Sequence, residues 1–204
     1  MRDAVNSKNS ILNAAEKLFA EKGFDGARVS EIADEAGVNK ALIYYYFDSK
    51  EDILDSLFSI LINQVITLFK NNILELDLEN EDDFDIFLDI LINHIENKRD
   101  ILRVAMTESM KKTGKKSIII KIAEMLISSE IETMRQIVLE KGIDFPGDER
   151  EILVAEFFTG VLPVVNYILF RDEFIENFNM TEREYKEYFL KAFKETHFAY
   201  HLRR

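Results

Sequence analysis

Phe24 to Leu54 reads FDGARVSEIADEAGVNKALIYYYFDSKEDIL. Gly37 lies near its centre, with a helical pattern on each side. Upstream, Ile32, Ala33 and Ala36 recur at helical spacing and predict a short helix from about Ser30 to Ala36. Downstream, Asn39 can cap a further helix running to about Phe47. Between them Gly37 tolerates the dihedral angles that a tight reversal needs. Two short helices about such a turn outline a helix-turn-helix, in which the second helix enters the DNA major groove while the first braces it. Ile32, Ala33, Ala36, Val38 and Ile43 supply the small core, and the alanines allow close approach.

Outward from this stretch, Ser7 can cap a first helix that ends at Gly23. Ile11, Leu12, Ala15, Leu18 and Phe19 form one apolar face of that helix. On the other side, Ser49 and Asp52 stand three apart, close to a capping box, and open a long helix. Its apolar residues run through Ile53, Leu57, Ile60, Leu61 and Leu68 to Leu74.

This pattern resembles the head of the TetR family of transcriptional regulators. The resemblance covers about Ser7 to Leu57. It is carried by Ile32-Ala33, Ala36-Gly37-Val38, Tyr44-Tyr45-Tyr46-Phe47 and Ser49-Lys50-Glu51. It implies that Lys40, Ala41, Leu42 and Tyr44 meet base edges, and that Tyr45, Tyr46 and Lys50 meet phosphates. Ser30 falls near the start of the supporting helix, where it can touch backbone or base. Where the family often has a capping Thr, this chain has Arg28; either Ser30 supplies the cap instead or Arg28 contacts phosphate.

Side-chain chemistry agrees with these roles. Lys40 can pair with guanine acceptors, and Ala41 and Leu42 can pack on a thymine methyl. Tyrosine hydroxyls and Lys50 can donate to phosphates. Alternatively the tyrosines form a half-buried aromatic cluster, and Tyr46 or Phe47 is core in either case. Tyr45→Ala and Lys50→Ala are expected to weaken DNA binding with little change in folding.

The rest of the chain predicts a helical body. Helices are expected near residues 83–97, 99–112, 115–142, 148–171 and 181–203. Breaks fall at Gly114, Gly142, Pro146-Gly147 and around residues 177–179. The acidic stretch 75–85 (ELDLENEDDFD) reads as a solvated connection. Thr181 and Glu184 make a capping box, and Pro163 should distort the helix that contains it. The domain division is expected at residues 1–50 for the head and 51–204 for the body.

Tyr185, Tyr188, Phe189, Ala192, Phe193, Thr196 and Tyr200 form an apolar stripe on the last helix. The helix before it is apolar nearly all round. Two such helices from each of two chains would pack as a four-helix bundle, giving a homodimer through the last two helices; the alternative is an ordinary monomer core. The resembled family dimerises in this way, which would place two heads about 34–36 Å apart on DNA half-sites.

A small-molecule effector is expected in the body, neutral or lipophilic, and released DNA is the expected response. His94, Met106, Met110, Phe158, Asn166 and Tyr167 are the candidate lining residues, each alternatively an ordinary core position. His197 and His201 stand four apart, a metal-ligand spacing without an evident third ligand.

Composition narrows the classes further. Only 7 Gly and 2 Pro in 204 residues favour an all-α fold. The absence of Cys removes disulfides and thiol catalysis. The formal charge of -12 argues against nucleic-acid binding. Yet the first fifty residues hold seven basic and eight acidic side chains, so the acidity lies in the body. Lys8, Arg28, Lys40 and Lys50 are therefore available to one surface of the head. No phosphate loop, nucleophile elbow or zinc-protease motif is present, so no enzymatic activity or cofactor is expected. No uninterrupted apolar run reaches about 18 residues, and no signal-peptide core opens the chain; a cytoplasmic protein that does not enter a membrane is expected. The competing reading is a helical ligand-binding or adaptor protein that does not use its head.

Overall fold

Nearly all the expected helices form, and their ends follow local chemistry. The computed structural model describes residues 2–72, 80–111, 117–140 and 148–199. Among these, every regular element is helical. The helices are α1 (Arg2–Gly26), α2 (Val29–Ala36), α3 (Lys40–Tyr46), α4 (Lys50–Asn72), α5 (Glu81–Glu96), α6 (Arg99–Ser109), α7 (Ile118–Glu140), α8 (Glu149–Ala155), α9 (Leu162–Phe178) and α10 (Glu182–Phe193). A π turn over Glu156–Val161 joins α8 to α9, and another over Lys194–Phe198 extends α10. The breaks expected at Gly114, Gly142 and Pro146-Gly147, like Tyr200 and His201, lie outside the described residues.

Two compact units are formed. Unit 1 comprises Met1–Asn63 with Asp100–Ile122, and unit 2 comprises Gln64–Arg99 with Ala123–Arg204. The head, residues 1–50, lies wholly in unit 1, together with the first part of α4, nearly all of α6 and the start of α7.

In unit 1, Ile11, Leu12, Ala15, Leu18 and Phe19 of α1 are buried with Ile32, Ala33, Ile43 and Phe47. This is the face that helical spacing predicts. Gly23 adopts φ 70° and interrupts α1 where the helix was expected to end. Ser7 is not its cap, because the helix begins at Arg2. A hydroxyl inside a helix competes for its backbone as readily as one at the end, so composition alone does not locate the first turn.

In unit 2, Tyr167 stacks on Tyr185 with centroids 4.8 Å apart and on Phe189 at 4.3 Å. The Tyr185 hydroxyl donates to the carbonyl oxygen of Tyr167 at 3.0 Å. Phe84 of α5 stacks on Phe193 of α10. Arg99 donates to Asp172 and to the Leu169 carbonyl, tying the start of α6 to α9. The capping box at Thr181 forms as expected: its hydroxyl accepts from the Glu184 N–H, and Glu184 accepts from the Thr181 N–H. Asn179, at φ 51°, closes α9 in the left-handed conformation.

Two expectations are corrected. The helix predicted to stop near residue 171 continues to Phe178. The acidic stretch is not all connection: Asn80 accepts from the Asp82 and Asp83 N–H groups, and Glu81 to Asp85 lie in the first turns of α5. Carboxylates suit that end because the helix dipole is positive there. The helix that contains Pro163 is irregular where distortion was expected: a π turn over Glu156–Val161 lies directly before the proline and accommodates its missing N–H. Finally, Lys50–Asn72 and Glu149–Phe178 are long and apolar enough to cross a membrane, although no uninterrupted apolar run is. Many of their apolar side chains are instead buried within the protein, among them Ile53, Leu54 and Leu61 of α4.

Candidate DNA-binding surface

The turn of the motif is built by Gly37. At φ 67° and ψ 30° it is left-handed, and its N–H donates to Asp34 while Val38 N–H donates to Ala33. This pair of bonds is the Schellman closure, which satisfies carbonyls that α2 would otherwise leave open. Asn39 then accepts from the Leu42 N–H at 2.8 Å and starts α3. Ile43 and Phe47 anchor α3 from below, each almost completely buried.

The opposite face of α3 stays in solvent. Lys40, Ala41, Tyr44 and Tyr45 are exposed, and Tyr45 is 78% exposed. Their spacing of one, three and one makes a single row along a helix about 10 Å long. Leu42 and Tyr46 flank the row and are half-buried. The Lys40 ammonium lies 5.7 Å from the centre of the Tyr44 ring, and Tyr45 packs edge-on against Tyr46. The aromatic cluster and the exposed face are therefore both present: Phe47 is core, Tyr46 is intermediate, and Tyr44 and Tyr45 face out.

At the start of α2, Arg28 and Ser30 are exposed. The residue before the helix is Arg28, and Glu31 accepts from its N–H at 3.0 Å. Ser30 is already inside α2 and does not supply the cap. A carboxylate three residues into the helix performs that half of a capping box without a hydroxyl partner.

Two of the head's acidic residues, Glu31 and Glu35, are paired within it. Lys17 pairs with Glu35 at 2.6 Å and Lys22 with Glu31 at 2.9 Å, holding α2 on α1. Hydrogen bonding from Lys22 lowers the Glu31 carboxyl below its ordinary range, and Glu35 raises the Lys17 ammonium. Lys17 and Lys22 are thus committed to α2. Lys8 lies over the Phe47 ring at 5.3 Å.

Lys50 has a second engagement that the sequence does not reveal. Its ammonium donates to the carbonyl oxygens of Phe24 at 2.6 Å and Ala27 at 3.0 Å, and lies 4.4 Å from the centre of the Phe24 ring. The adjacent Ser49 hydroxyl accepts from the Asp52 N–H, while Asp52 reaches past it to the Asp48 N–H. The Ser49 half of the near-capping box thus forms in place, and only the return bond is displaced, by one residue, to Asp48.

The six candidate effector-lining residues do not converge within one unit. Met106 and Met110 belong to unit 1, and His94, Phe158, Asn166 and Tyr167 to unit 2. Met110 is 76% exposed, Phe158 63%, and Asn166 is also exposed. Tyr167 is buried, stacked between aromatic neighbours. Along helices that are apolar nearly all round, periodicity does not say which face turns inward.

Sequence reasoning also passed over Glu156. It is 5% exposed and is the one buried charged residue among those described. The available signal was a single carboxylate, two residues before a Phe-Thr-Gly sequence, in an otherwise apolar helix.

Residues 11–57 match the family described as bacterial regulatory proteins, tetR family. The fatty acid metabolism regulator protein of Bacillus subtilis (strain 168) is 45% identical over 65 residues, covering 32% of this chain and 34% of that protein. The HTH-type transcriptional repressor NicS of Pseudomonas putida is 41% identical over 56 residues, 28% of this chain and 26% of that protein. The chain thus matches about a third or less of the length of these curated relatives. Its fold is that of a crystal structure of the transcriptional regulator FadR from Bacillus subtilis in complex with stearoyl-CoA. That likeness has a TM-score of 0.63 at 22% identity and covers 90% of this chain and 96% of the other.

Proposed function

We propose that the chain is a sequence-specific, DNA-binding transcription repressor that responds to a small molecule, a reading supported by the match of residues 11–57 to the tetR family of bacterial regulatory proteins. The observation that carries the reading is the exposed row on α3, Lys40, Ala41, Tyr44 and Tyr45, held on a buried base of Ile43 and Phe47. In this reading Lys40, Ala41, Leu42 and Tyr44 face base edges, and Arg28, Ser30, Tyr45 and Tyr46 face the backbone. Lys50 adds positive charge from a fixed position.

The protein acts as a homodimer through its last two helices, in the cytoplasm. Support comes from exposed aromatic side chains there: Phe170, Phe174 and Phe178 stand four apart on α9, and Tyr188 lies on α10, all accessible in the single chain. The effector is a long acyl chain carried as its coenzyme A thioester. The likeness to the FadR complex with stearoyl-CoA supports that class. His94 and Met106 remain candidate lining positions.

The test is binding of the full chain to genomic DNA fragments, including the region upstream of its own gene, at two salt concentrations. Tight binding to a few fragments that weakens steeply with salt is expected, since phosphate contacts release counterions. Added stearoyl-CoA is expected to release the DNA, and free coenzyme A is not. Equal, weak binding to all fragments from ligand-free protein would favour an adaptor that does not use its head.

A further inference from the structure

The lysines of the head fall into two groups according to what holds them. Lys17 and Lys22 are seated on carboxylates, those of Glu35 and Glu31, so each pair is neutral as a whole. Lys8, Lys40 and Lys50 are seated on aromatic rings instead. Their ammonium groups lie 5.3 Å from the centre of Phe47, 5.7 Å from Tyr44 and 4.4 Å from Phe24, respectively. A ring face orients an ammonium through its quadrupole but does not cancel its charge. In a chain with a formal charge of -12, these are sites where positive charge is both kept and held in place.

Lys40 and Lys50 already belong to the proposed DNA surface. Lys8 does not: it lies on α1, before the matched region that begins at residue 11. Its side chain is exposed, whereas the Phe47 ring beneath it is 2% exposed. Phe47 directly follows α3, so its ring places the Lys8 ammonium beside the end of that helix. The same ring adjoins Tyr46 at 6.5 Å, and Tyr46 meets Tyr45 edge-on at 5.0 Å. A continuous series of rings thus runs from the exposed Tyr45 to Lys8, all within unit 1. Lys17 lies nine residues further along α1, about 13 Å away at the rise of a helix, where Glu35 neutralises it.

We propose that Lys8 binds a DNA phosphate, so that the contact surface extends from α3 onto the start of α1. The proposal rests on the regulator reading and adds to it a contact from a third helix. A phosphate contact carries no sequence information of its own. Lys8 therefore contributes affinity and orientation, and the choice of bases stays with α3. Its seat on Phe47 reduces the freedom that a long flexible side chain loses on binding.

The test is binding of the full chain across a series of salt concentrations. The probes are the genomic fragment that the wild type binds most tightly and an unrelated duplex. Lys8→Met is expected to weaken binding to both by a similar factor. Its plot of log affinity against log salt is expected to be shallower by about 0.9, the release expected from one lost phosphate contact. Lys8→Arg should keep the wild-type slope. Lys17→Met removes the same charge from the same helix and should also keep it. A wild-type slope in Lys8→Met, or an equal flattening in Lys17→Met, would overturn the contact. Acetylation of the wild-type lysines with and without the tight fragment, read by mass spectrometry, decides without any variant. DNA should slow labelling of Lys8 and leave Lys17 unchanged; a Lys8 rate that DNA does not alter would overturn the contact as well. Wild-type protein that binds no fragment at any salt would sink the regulator reading and this contact together, whereas tight wild-type binding with an unaffected Lys8 would sink the contact alone.

Discussion

The ammonium of Lys50, first residue of α4, is bonded to the carbonyl oxygen of Phe24, near the end of α1, across 26 positions of sequence. A second bond to Ala27 and the ring of Phe24 complete its surroundings. Lys50 thus fastens the α1–α2 connection to the base of α4, whatever else it touches. Two of its three ammonium hydrogens are committed, which leaves one for a phosphate.

Lys50→Met should therefore destabilise the protein as well as weaken DNA binding. Charged hydrogen bonds to carbonyls and a cation–π contact together suggest about 1–3 kcal/mol, given the partial burial. Urea unfolding checks this. An unchanged midpoint alongside weakened DNA binding would mean that the carbonyl contacts contribute little and that the expectation from sequence, a pure phosphate contact, was the better one.

Tyr45→Ala should do the opposite. With most of its surface in solvent, Tyr45 contributes little to folding, and stability is expected to change by less than about 0.5 kcal/mol. Operator affinity is expected to fall about tenfold, the size of one lost hydrogen bond with its packing. Fluorescence anisotropy with a labelled operator reads the loss. Wild-type affinity would place the backbone contacts elsewhere on the head.

Gly37→Ala isolates the conformational cost of the turn. A Cβ at this position meets nothing within 4 Å, so no clash contributes. The left-handed backbone alone is expected to cost about 1–2 kcal/mol. Gly37→Asn should cost less, because asparagine tolerates that region. Equal midpoints for all three proteins would show that the turn relaxes out of the left-handed conformation.

Phe178→Glu probes the proposed dimer. Phe178 is 62% exposed in the single chain, so folding of the monomer should be nearly unaffected. Light scattering coupled to size exclusion should show a shift from dimer to monomer. A variant that remains dimeric at low micromolar concentration would move the interface away from the end of α9.

The features legible in the sequence share one property: both partners lie within a few residues. Gly37 closing α2, Asn39 capping α3 and the Thr181–Glu184 box all join groups three to five positions apart. The helical stripe of α1 is equally local, because a 3.6-residue repeat assigns faces before any neighbour arrives. Ser7 and Ser30 show the limit. Each is chemically able to cap, and each lies inside a helix whose start is set by its neighbours.

What tertiary structure decided is where long side chains and ambiguous faces go. Lys50 read as a surface cation, and only the packing of α4 on α1 brings two carbonyls under its ammonium. Phe158 and Asn166 read as candidate lining positions, and both are exposed in the single chain; a helix apolar nearly all round has no face that its own pattern selects. Glu156 read as one carboxylate among many, and its burial follows from the meeting of two π turns 38 residues apart at Thr159 and His197. Short-range hydrogen bonds are determined by the chain's own geometry. The fate of a charge or an aromatic ring depends on which helix packs over it, and that is a property of the assembled units.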